Sequence, residues 1–124
     1  MAEPHFERSA CPIATTLDFL GDKWSMVVLR DLFTGKSRYG EFLDSPENIS
    51  TNILADRLKR LEAEGLVTKE AYQNRPVRHA YRLTAKGAAL LPVLQEISRW
   101  ANHFIPGTWV PPASFMKRER RVDE

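Results

Sequence analysis

Apolar residues recur at helical spacing through the first third of the chain. After Pro12, which suits a first helical position, they follow at i, i+4 and i+7, as Ile13, Leu17 and Leu20. We predict a first helix here, ended by Gly21 in the left-handed conformation. Asp22 can cap a second helix that runs to Gly35. The apolar stripe of this second helix consists of Trp24, Val28, Leu29 and Leu32.

Two further helices are bounded by cap and turn residues. Ser37 is predicted to cap a short third helix, closed by the turn-forming sequence DSPEN. Ser50 caps a fourth helix, and Gly65 supplies its left-handed C-terminal residue, after which Leu66 can fold back on Leu61. The apolar stripe of the fourth helix is Leu54, Leu58 and Leu61. At about 100° per residue, the opposite face is narrow and polar, with Asn52, Asp56, Lys59 and Ala63 flanked by Thr51 and Ala55.

The sequence after Gly65 changes to strand-like spacing. The segments LVTKEAYQ and HAYRLT are joined by the turn-like NRPVR, which predicts a two-stranded ribbon with a basic tip. Thr84 can cap a last helix, which Pro92 is expected to bend. The apolar stripe of this helix is broad and contains Leu90, Val93, Leu94, Ile97, Trp100, Ala101 and Phe104.

Length and composition indicate one globular domain. The 124 residues, 43% apolar and 27% charged, suffice for a modest core. We expect residues 1–10 to form a flexible arm, residues 11–105 the domain, and residues 106–124 an aperiodic tail. No apolar run approaches the roughly 20 residues of a membrane span, and no signal-peptide core is evident. A cytoplasmic protein with no membrane partner is therefore expected.

The order helix, helix, capped helix, ribbon, helix predicts a mainly α fold with a small β-ribbon (α+β), namely a winged helix-turn-helix. In such folds the capped helix enters the major groove of DNA and the ribbon, or wing, lies along a neighbouring backbone. Double-stranded DNA is thus the expected partner. Base reading would fall to Thr51, Asn52 and Lys59. Backbone contacts would fall to Lys36, Arg38, Arg75 and Arg78.

The distribution of charge agrees with this use. The segment from Asn74 to Arg82 contains three arginines and no acid, so it carries +3 where the whole chain carries +2. Lys36 and Arg38 precede the third helix, whose N-terminal amides favour a phosphate. Asp56 opposes DNA binding, because a carboxylate on the groove face repels phosphate unless a neighbouring Lys59 or Arg60 neutralises it or a cytosine amino group donates to it.

Catalytic and metal-binding motifs are not evident. The chain has no glycine-rich phosphate loop or nucleophile elbow, and its three histidines are scattered. The single cysteine excludes an intrachain disulfide and a multi-thiolate metal site. We therefore predict no enzymatic activity, no cofactor and no metal. A winged-helix protein-interaction module that does not bind DNA is the alternative, although its wing would not need the arginines.

Three segments carry motifs that recur together in one known family. They are CPIATTLDFLGDKWSMVVLRDLFTGKSRYGEFL, ISTNILADRLKRLEAEGLV and YRLTAKGAALLPVLQEISRW. In this order they resemble the HxlR-type bacterial transcriptional regulators, a MarR-like winged-helix group. The resemblance covers about residues 11–101 and implies a homodimeric DNA-binding protein, usually a repressor, whose first and last helices form the dimer. The positions that match its DNA-binding residues are Arg38, Ser50, Thr51, Asn52, Arg57 and Arg78.

Dimerisation also has a basis in the chain itself, because the stripe of the last helix is too broad for a small domain to cover. Two copies would read half-sites of a palindromic operator about one DNA turn apart. We expect a two-fold interface that includes Leu17, Leu94, Ile97, Trp100 and Phe104.

Cys11 is the candidate for regulation. It precedes Pro12 at a helix N-terminus, where the partial positive charge favours a thiolate. Some members of the family that the chain resembles sense oxidants or electrophiles through a cysteine at this position, which implies a redox role here. Buried packing is the alternative role for Cys11. A small-molecule effector, bound between the dimer helices and the DNA-binding half, is a further alternative as the regulatory signal.

Overall fold

The computed structural model describes residues 6–118 and confirms the mixed helical fold with one antiparallel ribbon. A short C-terminal helix that the sequence did not predict is also present. The elements in chain order are α1 (Pro12–Leu20), α2 (Ser25–Phe33), α3 (Tyr39–Leu43), α4 (Thr51–Ala63), β1 (Val67–Asn74), β2 (Val77–Leu83), α5 (Ala85–Ala88), α6 (Leu91–Phe104) and α7 (Ala113–Met116).

The core lies where α2, α4 and the base of the ribbon meet. Apolar side chains of these elements are removed from water, which is the main favourable contribution to folding. The most deeply buried apolar residues of the chain, which include Leu20 of α1 and Phe42 of α3, are Leu20, Val28, Leu29, Phe42, Leu54, Leu58, Leu61, Leu66 and Val67. Within residues 6–118, no helix is long and apolar enough to cross a membrane.

Both ends of α4 are formed as the sequence predicts. The Ser50 hydroxyl accepts a hydrogen bond of 3.2 Å from the Ile53 amide, which satisfies one free donor of the first turn. Gly65 has φ +75°, and the Leu66 amide donates to the Leu61 carbonyl at 2.9 Å. The position and length of α4 are therefore fixed by local chemistry.

The two glycines near α2 behave differently. Gly35 adopts φ +102°, as expected of a left-handed helix stop. Gly21 has φ −82°, so the prediction of a left-handed stop there is wrong. A Cβ atom on Gly21 would lie 2.4 Å from the Leu17 carbonyl oxygen, so this position needs glycine for space rather than for its dihedral angles. The chain then turns because Asp22 accepts hydrogen bonds from the Trp24 and Ser25 amides.

The predicted cap of α3 is also wrong. The carboxylate of Glu41, not the hydroxyl of Ser37, provides the cap: Glu41 accepts 2.9 Å hydrogen bonds from the backbone amides of Ser37 and Arg38. These two donors lower the pKa of Glu41 below its usual value. The side chain of a glutamate in the first turn thus bonds the preceding backbone amides in place of the expected serine cap.

The predicted bent last helix is in fact two helices. Thr84 caps α5, as predicted, through a 3.1 Å hydrogen bond from the Gly87 amide to its hydroxyl. Pro92 does not bend a continuous helix but lies in the first turn of α6. That position suits proline, because the first-turn amides of a helix have no partner within the helix.

The predicted tail is part of the folded domain as far as Arg118. Phe115 of α7 is 8% exposed and belongs to the core. The buried Gln95 amide of α6 donates to the carbonyls of Phe115 at 3.0 Å and of Arg118 at 2.9 Å. Arg118 in turn donates to the Phe33 carbonyl at the end of α2. Residues 119–124, the end of the predicted tail, lie outside the described residues.

The predicted N-terminal arm is described only from residue 6. Residues 6–10 form no helix or strand and are exposed. Arg8 contacts α1 through a 2.7 Å ion pair with Asp18 and a hydrogen bond to the Ala14 carbonyl. The predicted flexibility of residues 1–5 falls outside the described part of the chain.

Candidate nucleic-acid interface

The polar face of α4 is open to solvent at its N-terminal end. Leu54, Leu58 and Leu61 turn inward and are at most 1% exposed. The residues that the sequence placed opposite them are all exposed, including Thr51, Asn52, Asp56 and Lys59. A helix held along one side in this way presents its other side for insertion into a groove.

Arg57 is not part of that open face. Its Nε atom lies 2.7 Å from Asp22 Oδ2, and its side chain is only 18% exposed. Arg57 also forms an ion pair with Asp56. The Oδ2 atom of Asp56 lies 3.7 Å from Arg60 Nη1. The guanidinium predicted to read DNA therefore joins α4 to the start of α2. Asp56 is neutralised by Arg57 and Arg60, which reduces the repulsion of phosphate that its carboxylate would cause.

Asp22 fixes this connection. Although partial burial opposes ionisation, hydrogen bonds from Ser25, Arg57 and the Trp24 and Ser25 amides hold the pKa of Asp22 well below its ordinary value. A carboxylate that is charged at neutral pH thus caps the turn before α2 and holds α4 at the same time.

Lys36 is also engaged within the chain. Its ammonium group donates to Ser45 Oγ at 2.8 Å, and Ser45 donates to the carboxylate of Asp31. Both Ser45 and Asp31 are buried. Arg30 bridges Asp31 to Glu47 at the other side of the network. The half-buried Lys36 therefore balances a buried carboxylate, in contrast to the predicted role of an open phosphate contact.

Arg38 lies at the start of α3 and contacts the wing. Its guanidinium carbon is 3.8 Å from the centre of the Tyr72 ring of β1. Arg75 and Arg78 are exposed near the tip of the ribbon. Arg82 is paired with Glu70 on the opposite strand at 3.2 Å, so its charge is partly offset. Glu70 lies outside the Asn74–Arg82 segment, so the charge of +3 counted for that segment does not include this acid.

A groove of about 600 Å³ separates α3 from the wing. Its walls include Tyr39, Lys69, Tyr72, Arg78 and His79. The Tyr81 amide donates to the Ser37 carbonyl at 2.8 Å, which holds the wing against the entry to α3. Burial and the neighbouring Tyr39 raise the pKa of Tyr81 to about 12. Arg38 therefore lies against the wing beside Lys69 and Arg78, and α3 itself packs on α4.

An apolar surface lies on α1 and α6. It contains Leu17, Ile97, Trp100 and Phe104, which are 49–62% exposed. Leu94, predicted to belong to this surface, is only 6% exposed and packs in the core of its own chain. The exposed residues of α6 follow the line of Val93, Ile97, Trp100 and Phe104. Leu94 lies about 100° around the helix from Val93, which turns it toward the core.

Cys11 forms the N-cap position of α1. Its side chain is exposed, so packing in the core of its own chain is not its role. Its backbone amide donates to the hydroxyl of Ser9 at 3.2 Å. The thiol is open to solvent at the edge of the apolar surface of α1.

Comparison with known proteins identifies the family. The HxlR-like helix-turn-helix family matches residues 19–108. The chain belongs to this family. A relative from Synechocystis sp., the HTH-type transcriptional regulator sll1512, is 44% identical over 105 residues, which cover 84% of this chain and 78% of that protein. The HTH-type transcriptional regulator YodB of Bacillus subtilis is 36% identical over 102 residues, which cover 81% and 91%.

Solved structures of HxlR-type and related regulators have the same fold. The reduced form of YodB aligns with a TM-score of 0.65 at 33% identity, covering 82% of this chain and 100% of that one. The redox regulator HypR in its oxidized form aligns with a TM-score of 0.67 at 33% identity, covering 75% and 96%. The chain is therefore a helix-turn-helix transcriptional regulator, as the sequence motifs implied, and no enzyme family is indicated.

Sequence reasoning did not identify every residue of these surfaces. Tyr72 was read only as part of a strand, and its contact with Arg38 could not be inferred because the two are 34 positions apart. Val93 and Ile13, which are 40% and 70% exposed, extend the apolar surface. Both residues belong to the apolar stripes predicted for the first and last helices, but they were not included in the expected interface.

Proposed function

We propose that this HxlR-type chain acts as a homodimeric repressor that binds a palindromic operator in double-stranded DNA. The observation that carries the proposal is the exposed polar face of α4, with α3 packed on α4 and Arg38 at the start of α3 stacked on the wing. In this arrangement the N-terminal half of α4 enters the major groove. The wing lies along the adjacent sugar-phosphate backbone.

The exposed side chains divide into two roles. Thr51, Asn52 and Lys59 face outward from α4 and are assigned to base edges. Arg38, Arg75 and Arg78 are assigned to phosphates, which fix the register of the domain without reading sequence. Ser50 contributes chiefly by capping α4.

The dimer explains how so small a domain reads a specific site. One α4 contacts only a few base pairs, whereas two copies about one DNA turn apart read both halves of a palindrome. The exposed apolar residues of α1 and α6 provide a surface that a second copy would cover.

The experiment measures binding of the purified chain to DNA from upstream of its own gene at two salt concentrations. Contact with several phosphates requires a steep loss of affinity as salt rises, because binding releases counterions. An unrelated DNA fragment of equal length serves as the control for specificity. A weak or salt-independent interaction would contradict DNA binding and favour the alternative of a protein-interaction module.

We propose further that oxidation of Cys11 changes operator binding. Support comes from the exposure of the thiol and from relatives with redox forms, since YodB has been solved reduced and diamide-treated and HypR is described as a redox regulator. Because each chain has one cysteine, diamide would take two electrons and two protons from two Cys11 thiols and join two chains.

This redox role is tested by comparing reduced and diamide-treated protein, with Cys11→Ser as the control. The expected result is a covalent dimer on a non-reducing gel, together with altered operator affinity that is absent in the serine variant. Equal affinity of the reduced and oxidised proteins would contradict the redox role. In that case a small-molecule effector would remain the candidate signal.

A further inference from the structure

The wing contains an irregularity that the family assignment does not explain. In the ribbon, Ala71 pairs with His79 and Gln73 pairs with Arg78. One residue, Tyr72, is therefore inserted into β1 without a partner on β2. Such a β-bulge changes the direction of a side chain relative to a regular strand.

The inserted residue meets a cation from outside the wing. The Tyr72 ring lies under the guanidinium of Arg38, with 3.8 Å between the guanidinium carbon and the ring centre. Arg38 comes from the start of α3, so the contact joins the helix-turn-helix to the wing. Both side chains are exposed, and the stack is not forced by burial in the core.

The stack leaves the guanidinium available to an anion. A ring covers one face of the planar group, whereas the N–H donors point outward along its edges. The nearby Glu41 carboxylate attracts the charge of Arg38, but its hydrogen bonds come from the backbone amides of Ser37 and Arg38. Among residues 6–118, no ion pair within 4.0 Å joins the Arg38 side chain to an acid. Tyr72 borders the same groove as Lys69 and Arg78, which adds positive charge.

We infer that Tyr72 is a positioning residue for DNA binding, which acts by holding Arg38 against the wing with its N–H edges toward a DNA phosphate. This inference rests on the proposed binding of DNA. A free surface arginine samples many rotamers, and fixing one of them on binding costs conformational entropy. A guanidinium already stacked on Tyr72 loses less of this entropy when it meets the phosphate.

A double-mutant cycle tests the inference on DNA from upstream of the gene. The proteins compared are the wild type, Tyr72→Leu, Arg38→Ala, the double variant and Tyr72→Phe. We expect Tyr72→Leu to weaken binding to matching and unrelated DNA alike, by about threefold to tenfold. Tyr72→Phe should bind like the wild type because it retains the ring. The double variant should bind no more weakly than Arg38→Ala alone.

Other results would overturn the inference. Losses from Tyr72→Leu and Arg38→Ala that multiply in the double variant would show that the two residues act independently. A loss in Tyr72→Phe equal to that in Tyr72→Leu would show that the hydroxyl, not the ring, is what matters. If Tyr72→Leu unfolds, the comparison of Tyr72→Phe with Tyr72→Trp decides, since both rings should support binding. A wild type that binds no upstream DNA would overturn the proposed function itself.

Discussion

Arg57, Arg78 and Asn52, all predicted to contact DNA, lie in different environments. Arg57 is turned inward to Asp22, whereas Arg78 is exposed on the wing and Asn52 on the open face of the helix. We expect Arg78→Ala to weaken binding to all DNA sequences alike and to lower the salt slope by about 1. Asn52→Ala should instead change the base preferred at one position in each half-site, by about 1–3 kcal/mol. Titrations at several salt concentrations measure the slope, and competition with operators carrying single base substitutions measures the base preference. If both variants lose affinity equally for all DNA sequences, the face of α4 that contains Asn52 is not the one that enters the groove.

A second prediction at this scale concerns Asp22. Replacing it with asparagine removes the charged acceptor of Arg57 and of the turn before α2, so the free energy of unfolding at pH 7 should fall by about 2 kcal/mol. Because the folded pKa lies below the ordinary value of 3.8, this stabilisation is complete above that pH and is lost as the pH falls below it. Urea denaturation at pH 7 and pH 3 measures the difference from the wild type, which should narrow at the lower pH.

The matched control for Asp22→Asn is Glu70→Gln. Glu70 also forms an ion pair with an arginine, but both partners are more than 60% exposed and screened by water. Its replacement should change stability little. A loss at Glu70 as large as that at Asp22 would show that ion pairing alone, rather than the hydrogen-bonded cap, stabilises the chain.

Most cap and stop residues that act locally could be predicted from the sequence, although the Gly21 stop and the Ser37 cap were wrong. Residues whose role depends on a distant partner could not be predicted. Ser50, Gly65 and Thr84 act on amides or dihedral angles within a few positions, so their cap and stop signals were read correctly. Arg57 depends on Asp22, 35 positions away. Lys36 likewise depends on a buried carboxylate network that no local pattern indicates.

At the scale of elements, the order of helices and strands followed from apolar periodicity, but the C-terminal segment did not. Helix α7 has four residues, too few for a periodic signal, and it is held by one buried phenylalanine and by the amide of Gln95. Periodicity predicts elements that bury a stripe. It does not detect a short segment attached through one side chain and a few backbone carbonyls.

The C-terminal segment yields a prediction of its own. Phe115→Ala should lower the free energy of unfolding by about 3 kcal/mol, because it removes a buried aromatic ring and leaves a cavity. Chemical denaturation measures the loss, with Ser114→Ala as the control at an exposed neighbouring position. If Phe115→Ala lowers the free energy of unfolding no more than Ser114→Ala does, residues 106–118 are an aperiodic tail, as the sequence predicted.

At the scale of the whole molecule, the exposed apolar residues of α1 and α6 form the proposed dimer interface. Trp100 is 59% exposed, so Trp100→Glu should leave the fold of each chain intact while placing two like charges in a two-fold interface. We expect monomers in sedimentation and a loss of affinity for the full palindrome that exceeds the loss for a half-site. Val77, equally exposed but on the wing, is the matched control, and Val77→Glu should remain dimeric. A Trp100→Glu protein that stays dimeric would show that the dimer interface lies elsewhere. The surface of α6 would then no longer explain how two copies read a palindrome.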